Sequence, residues 1–344
     1  MTQPVVIWGA GAIGGSLGAG LRRTGHEVIF VDNVREHVDA INARGLQIVG
    51  PLLQATVAAR AYLPEQLTGS YERMFLCVKA LHTEAAAKAL APHLAAGGYV
   101  VSAQNGLNEL VIADVVGRAR TIGCFVNFGA DYLEPGVVQY SGRGAVVVGE
   151  LDGARTARIA GIHKLLLDFE PNAVLTENIW GYLWGKLIYG AQLFATALTD
   201  EGIADCLAEP EFRPVLTALG QEVGAVAKAN GISTEAFNGF DPAAFMPGAP
   251  QSLIDRSFDD MVAFNRRSAK SHSGIWRDLA IRKRQTEVEP QLGPIVSTGR
   301  QVGVPTPLTA RLIEMIVEME QGKRQFSPGN LSELARAGQA VAAK

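Results

Sequence analysis

A glycine-rich segment, Gly9-Ala10-Gly11-Ala12-Ile13-Gly14, follows a short apolar run and opens a helical pattern. Gly9 would permit a tight turn, Gly11 would let the backbone approach a pyrophosphate, and Gly14 would let helix and strand pack closely. Free amide groups and the dipole at the start of such a helix favour an anion. Glycines also serve ordinary turns, but this context predicts a dinucleotide-binding loop. Its predicted cofactor-binding residues are Gly9, Gly11, Ala12, Ile13 and Gly14.

An acidic residue, Asp32, ends the second apolar run. A carboxylate at this position can accept both ribose hydroxyls of NAD and would repel the 2′-phosphate of NADP. Two alternatives remain open, because Arg35 could contact an adenosine phosphate and Asp32 could be a simple turn residue. The sequence therefore predicts NAD(P)H as the cofactor and favours NAD(H).

Three further groups carry candidate chemistry. Lys79 and Asn105 each follow an apolar strand, at the edge where an open α/β sheet binds its ligands. Lys186 lies among apolar helical neighbours such as Trp184 and Leu187, where an ammonium group would be a good proton donor. Each also has an ordinary interpretation: a solvated cation, an asparagine-glycine turn, or a lysine that reaches from an apolar helix face to water.

The elements that would position these residues alternate between strand and helix in the first half of the chain. Strands are predicted at Pro4–Trp8, Glu27–Asp32, Met74–Val78, Gly98–Ala103 and Thr121–Val126, and helices at Gly14–Arg23, Glu36–Arg44 and Thr83–His93. Continuous apolar strands separated by helices predict a parallel sheet covered on both faces. Between Pro135 and Glu150 two runs of period two flank residues 141–144, and this pattern predicts a hairpin that closes the first domain.

The second half is helical in pattern almost throughout. Helices are predicted at Asn178–Leu198, Glu211–Ala229, Val288–Gln301 and Leu308–Gln321, with an ordered loop over Phe237–Pro250. The fold class predicted from both halves is an α/β Rossmann-type dinucleotide-binding domain over residues 1–175, followed by an all-helical domain over residues 176–344. A length of 344 residues agrees with this division, at about 150 residues per domain.

Composition excludes several classes of function. Hydrophobic residues make up 48% of the chain, which excludes wholesale disorder. The net charge is −3, so the chain lacks the basic excess needed to bind nucleic acid. The uncharged run Met1–Leu21 is too rich in glycine for a membrane span and lacks the basic start of a signal peptide. We expect a soluble, cytoplasmic protein with no membrane partner. The three cysteines are far apart and His272 has no partner at metal spacing, so we predict no metal.

Taken together, these motifs resemble those of the ketopantoate reductase (2-dehydropantoate 2-reductase) family. The resemblance also rests on Pro135-Gly136-Val137-Val138, Gly142-Arg143-Gly144 and Val148-Gly149-Glu150. It implies an NAD(P)H-dependent reductase of a small 2-oxo acid. It further implies that Lys79 and Asn105 line the cleft near the nicotinamide and substrate, that Lys186 is the general acid, and that Glu287 contacts the substrate. A serine twelve residues before that glutamate usually holds the substrate carboxylate. Here that position is Ile275, so Ser273 and the nearby Ser271 become the candidates.

The sequence departs from this family pattern on the lysine helix. The family carries substrate-binding asparagines four and eight residues after the lysine, where this chain has Gly190 and Phe194. Because Gly190 and Phe194 are four residues apart, we expect both on the helix face that carries Lys186, where they would offer a gap and an aromatic ring in place of two amides. We count both as substrate-binding positions and expect a substrate that is bulkier or more apolar than ketopantoate.

Two other functions remain as alternatives. A 3-hydroxyacid-type dehydrogenase would pair the helix lysine with an asparagine four residues later, and Gly190 weighs against this alternative. A non-catalytic dinucleotide-binding or sensing protein is the second, and retention of Lys79, Asn105, Lys186 and Glu287 argues against it. The apolar pattern of the helical domain also suggests a homodimer.

Overall fold

A computed structural model describes residues 3–267 and 271–342. The chain divides into two compact units, of which the first ends at Ile179 and the second begins at Trp180. The boundary that we predicted from the sequence lies between residues 175 and 176. The two units are described separately below.

The first unit mixes strands and helices. Its strands are β1 (Val5–Trp8), β2 (Val28–Val31), β3 (Leu46–Val49), β4 (Ala55–Val57), β5 (Arg60–Tyr62), β6 (Tyr71–Leu76), β7 (Leu94–Ser102), β8 (Thr121–Val126), β9 (Gly129–Glu134), β10 (Val137–Gly142), β11 (Val146–Glu150) and β12 (Val174–Leu175). Its helices are α1 (Ala12–Arg23), α2 (Arg35–Arg44), α3 (Thr83–Leu90), α4 (Asn108–Val116) and α5 (Ala157–Leu167).

The main sheet of this unit has, within the described residues, eight strands in the order β12-β11-β8-β7-β6-β1-β2-β5. Neighbouring strands are parallel except for β8 and β11, which are antiparallel. The strand order reverses at β1, which lies between β2 and β6. In an open α/β sheet, ligands bind beyond the carboxyl ends of the strands at such a reversal. The predicted Rossmann-type α/β fold is confirmed.

Both faces of the main sheet are buried, as the continuous apolar strands predicted. Side chains alternate between the faces along β1, so Val5 and Ile7 belong to one core cluster while Val6 and Trp8 belong to another. The first cluster includes Leu17 of α1, and the second includes residues of α3 and α4.

The predicted hairpin between Pro135 and Glu150 is wrong. Both runs are strands, but β10 pairs with β9 and β3 in a separate sheet of order β4-β3-β10-β9. β11 instead pairs with β8 and β12 in the main sheet. All residues of β11 are buried, Glu150 included, as in a strand whose two faces are both covered. A pattern of period two assigns side chains to faces but does not identify the partner strand.

The described residues of the second unit form helices, turns and loops, with one isolated β-bridge between Phe237 and Phe240. Its helices are α6 (Ile179–Thr196, which begins on the last residue of the first unit), α7 (Ile203–Ala208), α8 (Arg213–Ala229), α9 (Gln251–Arg266), α10 (Gly274–Ala280), α11 (Val288–Val302), α12 (Pro307–Glu320) and α13 (Gly329–Ala342). The four helices predicted from the sequence correspond to α6, α8, α11 and α12. In the described part of the chain, no helix has the length and apolar character needed to cross a membrane.

Ion pairs join α12 to α13. Arg324 donates to Glu318 at 2.7 Å and to Glu333 at 2.9 Å, and Arg311 donates to the same two carboxylates. These hydrogen bonds, from Arg324 first and then from Arg311, lower the pKa of Glu333 to about 2. The cluster therefore stabilises the contact between the last two helices through charges that are present at neutral pH.

Candidate active site

The glycine loop connects β1 to α1 and has the geometry that its sequence predicts. Gly9 has a φ of +96°, and a Cβ atom there would lie 2.8 Å from the backbone nitrogen of Val78. A Cβ on Gly14 would lie 2.0 Å from the carbonyl oxygen of Gly9. Both positions therefore exclude any side chain, the first because of its backbone conformation and both because of close backbone contacts.

The start of α1 is suited to an anion. Gly11 is the N-cap residue, and the first helical hydrogen bond runs from the Gly15 amide to the Gly11 carbonyl at 2.7 Å. In the described part of the chain no side chain caps this helix, and a Cβ on Gly11 would meet no protein atom within 4 Å. The first amides of the helix, including those of Ala12 and Ile13, have no partner within the helix itself. The loop therefore fits a dinucleotide pyrophosphate.

Asp32 follows β2 and is tied to the glycine loop. Its Oδ2 accepts from the Ala10 amide at 2.8 Å, and its Oδ1 accepts from the Val34 amide at 3.0 Å. The bond to Val34 is a local turn contact, so the turn role considered from the sequence is real. Each carboxylate oxygen can accept a second hydrogen bond, and the side chain is half-exposed. Asp32 can therefore serve the turn and accept ribose hydroxyls as well.

His37 of α2 is a residue of this loop that the sequence analysis missed. Its Nε2 lies 2.9 Å from the Ala10 carbonyl, and its Nδ1 accepts from the Gly136 amide at 2.8 Å. The side chain is only 1% exposed. A lone histidine on an amphipathic helix carries no sequence signal for this role, because the partner Gly136 lies in a distant turn between β9 and β10.

The segments that carry Lys79 and Asn105 are joined by a chain of hydrogen bonds. Gln104 donates to the Val78 carbonyl at 2.7 Å and to the Thr83 hydroxyl at 2.8 Å. Thr83 in turn donates to Asn108 at 2.8 Å, and the Asn108 amide donates to the Asn105 carbonyl at 2.6 Å. We call Thr83, Gln104 and Asn108 the strand-end network. It links the chain after β6 to the chain after β7, next to the glycine loop.

The predicted catalytic lysine lies on α6 in the second unit. Lys186 is half-buried, as are Tyr182, Tyr189, Gly190 and Leu193, which share one side of this helix. Apart from its chain neighbours and the backbone of its own helix, a Cβ on Gly190 would meet no protein atom within 4 Å. This arrangement makes Gly190 an open position beside Lys186 on the same helix face.

Phe194 is placed differently from our expectation. It is 1% exposed, so its ring lies in the protein interior rather than on the half-buried side of α6. A helix turns by about 100° per residue, so Phe194, eight residues after Lys186, points about 80° away from it around the helix axis. Leu193, seven residues after Lys186, lies within about 20° of it and so shares its side of the helix. The expectation that Phe194 presents an aromatic ring beside Lys186 is therefore corrected. Gln192 does not replace the missing amide, because it is buried and donates to the Leu216 carbonyl at 3.2 Å.

Two further candidates lie at helix starts. Ser273 is the N-cap of α10, and its hydroxyl oxygen accepts from the Trp276 amide at 3.1 Å. Glu287 is the N-cap residue of α11 and follows Thr286, whose amide and hydroxyl both donate to Glu320. The backbone around Glu287 is therefore fixed by a contact with α12. Ser271 is exposed, and its hydroxyl lies 2.9 Å from Nδ1 of His272.

These observations define a class of protein. NAD(P)-dependent oxidoreductases typically have a mostly parallel sheet with a glycine loop at its strand-order reversal and an acid after the second strand. This chain has both, together with a separate helical unit that carries a half-buried lysine. Residues 5–153 match the family model "Ketopantoate reductase PanE/ApbA", and residues 178–320 match the model of its C-terminal domain. The chain belongs to the ketopantoate reductase family, whose members act on CH–OH groups.

Individual relatives agree with this assignment. The chain is 30% identical to the 2-dehydropantoate 2-reductase of Archaeoglobus fulgidus over 322 residues, which cover 93% of this chain and 99% of the relative. Its fold is similar to the crystal structure of a ketopantoate reductase from Ralstonia eutropha JMP134, with a TM-score of 0.79, 25% identity and coverage of 93% and 99%. It is also similar in fold to D-mandelate dehydrogenase in complex with NADH and anilino(oxo)acetate, with a TM-score of 0.80, 22% identity and coverage of 93% and 99%.

The first unit thus brings together the glycine loop, Asp32 and the segments carrying Lys79 and Asn105. Lys186, Gly190, Ser273 and Glu287 all belong to the second unit. Among the described residues, no group of three or more histidine, cysteine or acidic side chains could hold a metal ion.

Proposed function

We propose that this protein reduces a 2-oxo acid to the 2-hydroxy acid with NAD(P)H, and that NADH is the preferred cofactor. The observation that carries the proposal is the meeting of three segments at the carboxyl ends of β1, β6 and β7. Gly9 packs against Val78, and Gln104 donates to the Val78 carbonyl. The pyrophosphate loop is therefore adjacent to the strand ends that carry Lys79 and Asn105.

In this proposal the two units have separate roles. The first, predicted over residues 1–175, binds the cofactor through Gly9, Gly11, Ala12, Ile13, Gly14, Asp32, Lys79 and Asn105. The second, predicted over residues 176–344, supplies Lys186 together with Glu287, Gly190 and Ser273 for the substrate. The preference for NADH rests on the half-exposed Asp32 carboxylate, which would repel a 2′-phosphate.

The chemistry divides between cofactor and protein. When bound, the nicotinamide supplies the hydride for the carbonyl carbon. The Lys186 ammonium group stabilises the negative charge that develops on the carbonyl oxygen and then donates a proton to it. Asn105 and Glu287 orient the substrate, and Ser273 keeps its hydroxyl proton for the substrate carboxylate because its oxygen accepts from the helix amide.

The proposed substrate is less hydroxylated than ketopantoate. At the open position Gly190, this chain has no amide to offer a substrate hydroxyl. The neighbouring Leu193 and Tyr189 add apolar surface to the same side of α6. D-mandelate dehydrogenase, which has a similar fold, binds anilino(oxo)acetate, so this fold accommodates a 2-oxo acid with an aromatic substituent. We propose an aryl- or branched alkyl-2-oxo acid as the substrate.

A single screen tests the proposal. Purified protein is incubated with NADH or NADPH and a panel that includes ketopantoate, phenyl-2-oxo acids and branched alkyl-2-oxo acids, while nicotinamide absorbance is followed. We expect oxidation of NADH with at least one 2-oxo acid. Binding of the cofactor without oxidation by any 2-oxo acid would contradict the proposal and favour a binding or sensing protein. The cytoplasmic location and the homodimer stay predictions from the sequence.

A further inference from the structure

The amide and the carbonyl group of Ala10 are each hydrogen-bonded to a side chain. Its amide donates to Oδ2 of Asp32, and its carbonyl lies 2.9 Å from Nε2 of His37. Ala10 lies between Gly9, which makes the tight turn, and Gly11, which is the N-cap of α1. The orientation of Ala10 therefore decides where the following amides point.

The partners of His37 define its protonation state. Nδ1 accepts from the Gly136 amide, so this nitrogen carries no proton. Nε2 must then carry the proton, which it donates to the Ala10 carbonyl. Both partners are backbone groups, and neither can exchange its role as donor or acceptor. The imidazole is therefore neutral and fixed in one tautomer.

The surroundings of His37 keep it in place. The ring is 1% exposed, and Tyr132 of β9 packs against it edge-on with ring centroids 5.1 Å apart. The imidazole thus connects the glycine loop to the turn between β9 and β10, which belongs to the second sheet. Asp32 follows β2 and His37 lies in the first turn of α2, so one β–α unit supplies both contacts to Ala10.

We propose that His37 is a positioning residue for the cofactor, which acts by fixing Ala10 so that the amides at the start of α1 face the pyrophosphate. This inference rests on the proposed dinucleotide function and extends it to a residue that does not touch the cofactor. Because His37 acts through the loop, its loss should weaken cofactor binding and leave the catalytic step unchanged at saturating cofactor.

The experiment compares three variants for binding of NADH, followed by fluorescence, and for steady-state kinetics. His37→Ala should raise the Kd and KM for NADH about tenfold or more, because two buried backbone groups lose their partner. The kcat at saturating NADH should change less than about twofold. His37→Gln retains one donor and one acceptor, and should bind NADH at least about threefold more tightly than His37→Ala.

His163→Ala is the matched control. His163 is half-buried in the same unit, and its Nε2 bonds to the Ala173 carbonyl at 2.8 Å. This variant should lower the melting temperature and leave the Kd for NADH unchanged. If His37→Ala folds and binds NADH as the wild type does, the positioning role is overturned and the proposed function stands. If the wild type binds neither NADH nor NADPH, the proposed function fails and the inference fails with it.

A measurement on the wild type keeps the inference testable if the variants do not fold. The nitrogen NMR shifts of His37 should be those of the neutral Nε2–H tautomer in the free protein, and they should move when NADH is added. An imidazolium or an Nδ1–H tautomer at neutral pH would overturn the proposal.

Discussion

The Thr83 hydroxyl accepts a hydrogen bond from Gln104 and donates one to Asn108, both at 2.8 Å. All three side chains are buried. A hydroxyl group can donate only one proton, so Thr83 fixes the direction of each hydrogen bond in the strand-end network. Gln104 must turn its side-chain nitrogen toward Thr83, and Asn108 must turn its side-chain oxygen toward it. The Asn108 amide is then directed at the Asn105 carbonyl.

Replacement of Thr83 by valine tests this network. The change keeps the shape of the side chain but leaves groups of Gln104 and Asn108 without their partner, which costs about 1–3 kcal/mol in a buried site. We expect kcat to fall about tenfold or more, because Asn105 and the chain that carries Lys79 would no longer be held in one orientation.

Thr121→Val is the control for this prediction. Thr121 is fully buried in the same unit, and its hydroxyl donates to the Gly117 carbonyl at 3.0 Å. It should lower the melting temperature to a similar degree without changing kcat. Equal losses of kcat in both variants would mean that the network contributes only stability.

Sequence patterns predicted the strands that are apolar throughout and missed elements whose place depends on distant partners. The runs at Pro4–Trp8 and Thr121–Val126 became β1 and β8, because a strand buried on both faces needs apolar residues throughout. The short strands β3, β4 and β5 were missed, since each has only three or four residues and mixes buried with half-buried or exposed positions, so none forms an apolar run. β10 and β11 were joined wrongly because spacing does not reveal that they belong to different sheets.

The candidate site shows the same division. The loop geometry at Gly9 and Gly14 and the position of Asp32 after β2 were predictable because they are local to one β–α–β unit. His37 was not, because its partner Gly136 lies far away in sequence. Phe194 was misplaced because two residues that are eight apart on a helix were treated as if they shared a face, although Phe194 is buried in the interior.

Lys186→Ala should lower kcat at least about 100-fold, since a positioned proton donor contributes that much or more. Binding of NADH should remain close to that of the wild type. Lys186→Arg keeps the positive charge but gives up a proton far less readily, so its kcat should lie between that of Lys186→Ala and that of the wild type. The control is Lys228→Ala, which removes an exposed lysine of the same unit. A nearly normal kcat for Lys186→Ala would contradict its role as the general acid.

Asp32→Asn tests the proposed cofactor role of this carboxylate apart from its observed contacts with the Ala10 and Val34 amides. The amide has one accepting oxygen, so one of the two backbone bonds to Ala10 and Val34 is lost and binding of both cofactors should weaken. Loss of the negative charge removes the repulsion of a 2′-phosphate. The ratio of affinities should therefore shift toward NADPH by about tenfold or more.

Arg35→Ala is the companion variant in this measurement. Arg35 is exposed, and its guanidinium lies 3.9 Å from Glu65, a distance typical of a weak surface pair. It should leave the Kd for NADH unchanged. If the wild type prefers NADPH and Arg35→Ala abolishes that preference, Arg35 reads the cofactor and the role given to Asp32 is wrong.

The pair of helices α12 and α13 should lose stability in acid. The pKa of Glu333 is about 2 in the folded protein and about 4.3 in an unfolded chain, so its stabilising effect is present above pH 4 and disappears as the pH falls toward 2. Glu333→Gln should lower the melting temperature at pH 7 by about 1–3 °C, a small effect because the side chain is 38% exposed. The difference from the wild type should shrink steadily in melting curves between pH 5 and pH 2. Glu314→Gln, at a more exposed partner of Arg311, should have less effect at every pH.

Substrate selectivity should depend on Gly190. The family places an asparagine four residues after the lysine. Here a Cβ at that position would meet no protein atom within 4 Å apart from its chain neighbours and the backbone of its own helix. Space for a Cβ is therefore available at Gly190, and Gly190→Asn would return an amide to the side of α6 that carries Lys186. Compared with Gly190→Ala, which controls for the loss of glycine, it should raise kcat/KM for ketopantoate about tenfold or more. Activity with a phenyl-2-oxo acid should fall, because a polar group that the substrate cannot satisfy takes the place of open apolar space. If the wild type already prefers ketopantoate, and Gly190→Asn changes kcat/KM for neither ketopantoate nor the phenyl-2-oxo acid, then another element binds the substrate hydroxyl. Gly190 then has no part in selectivity.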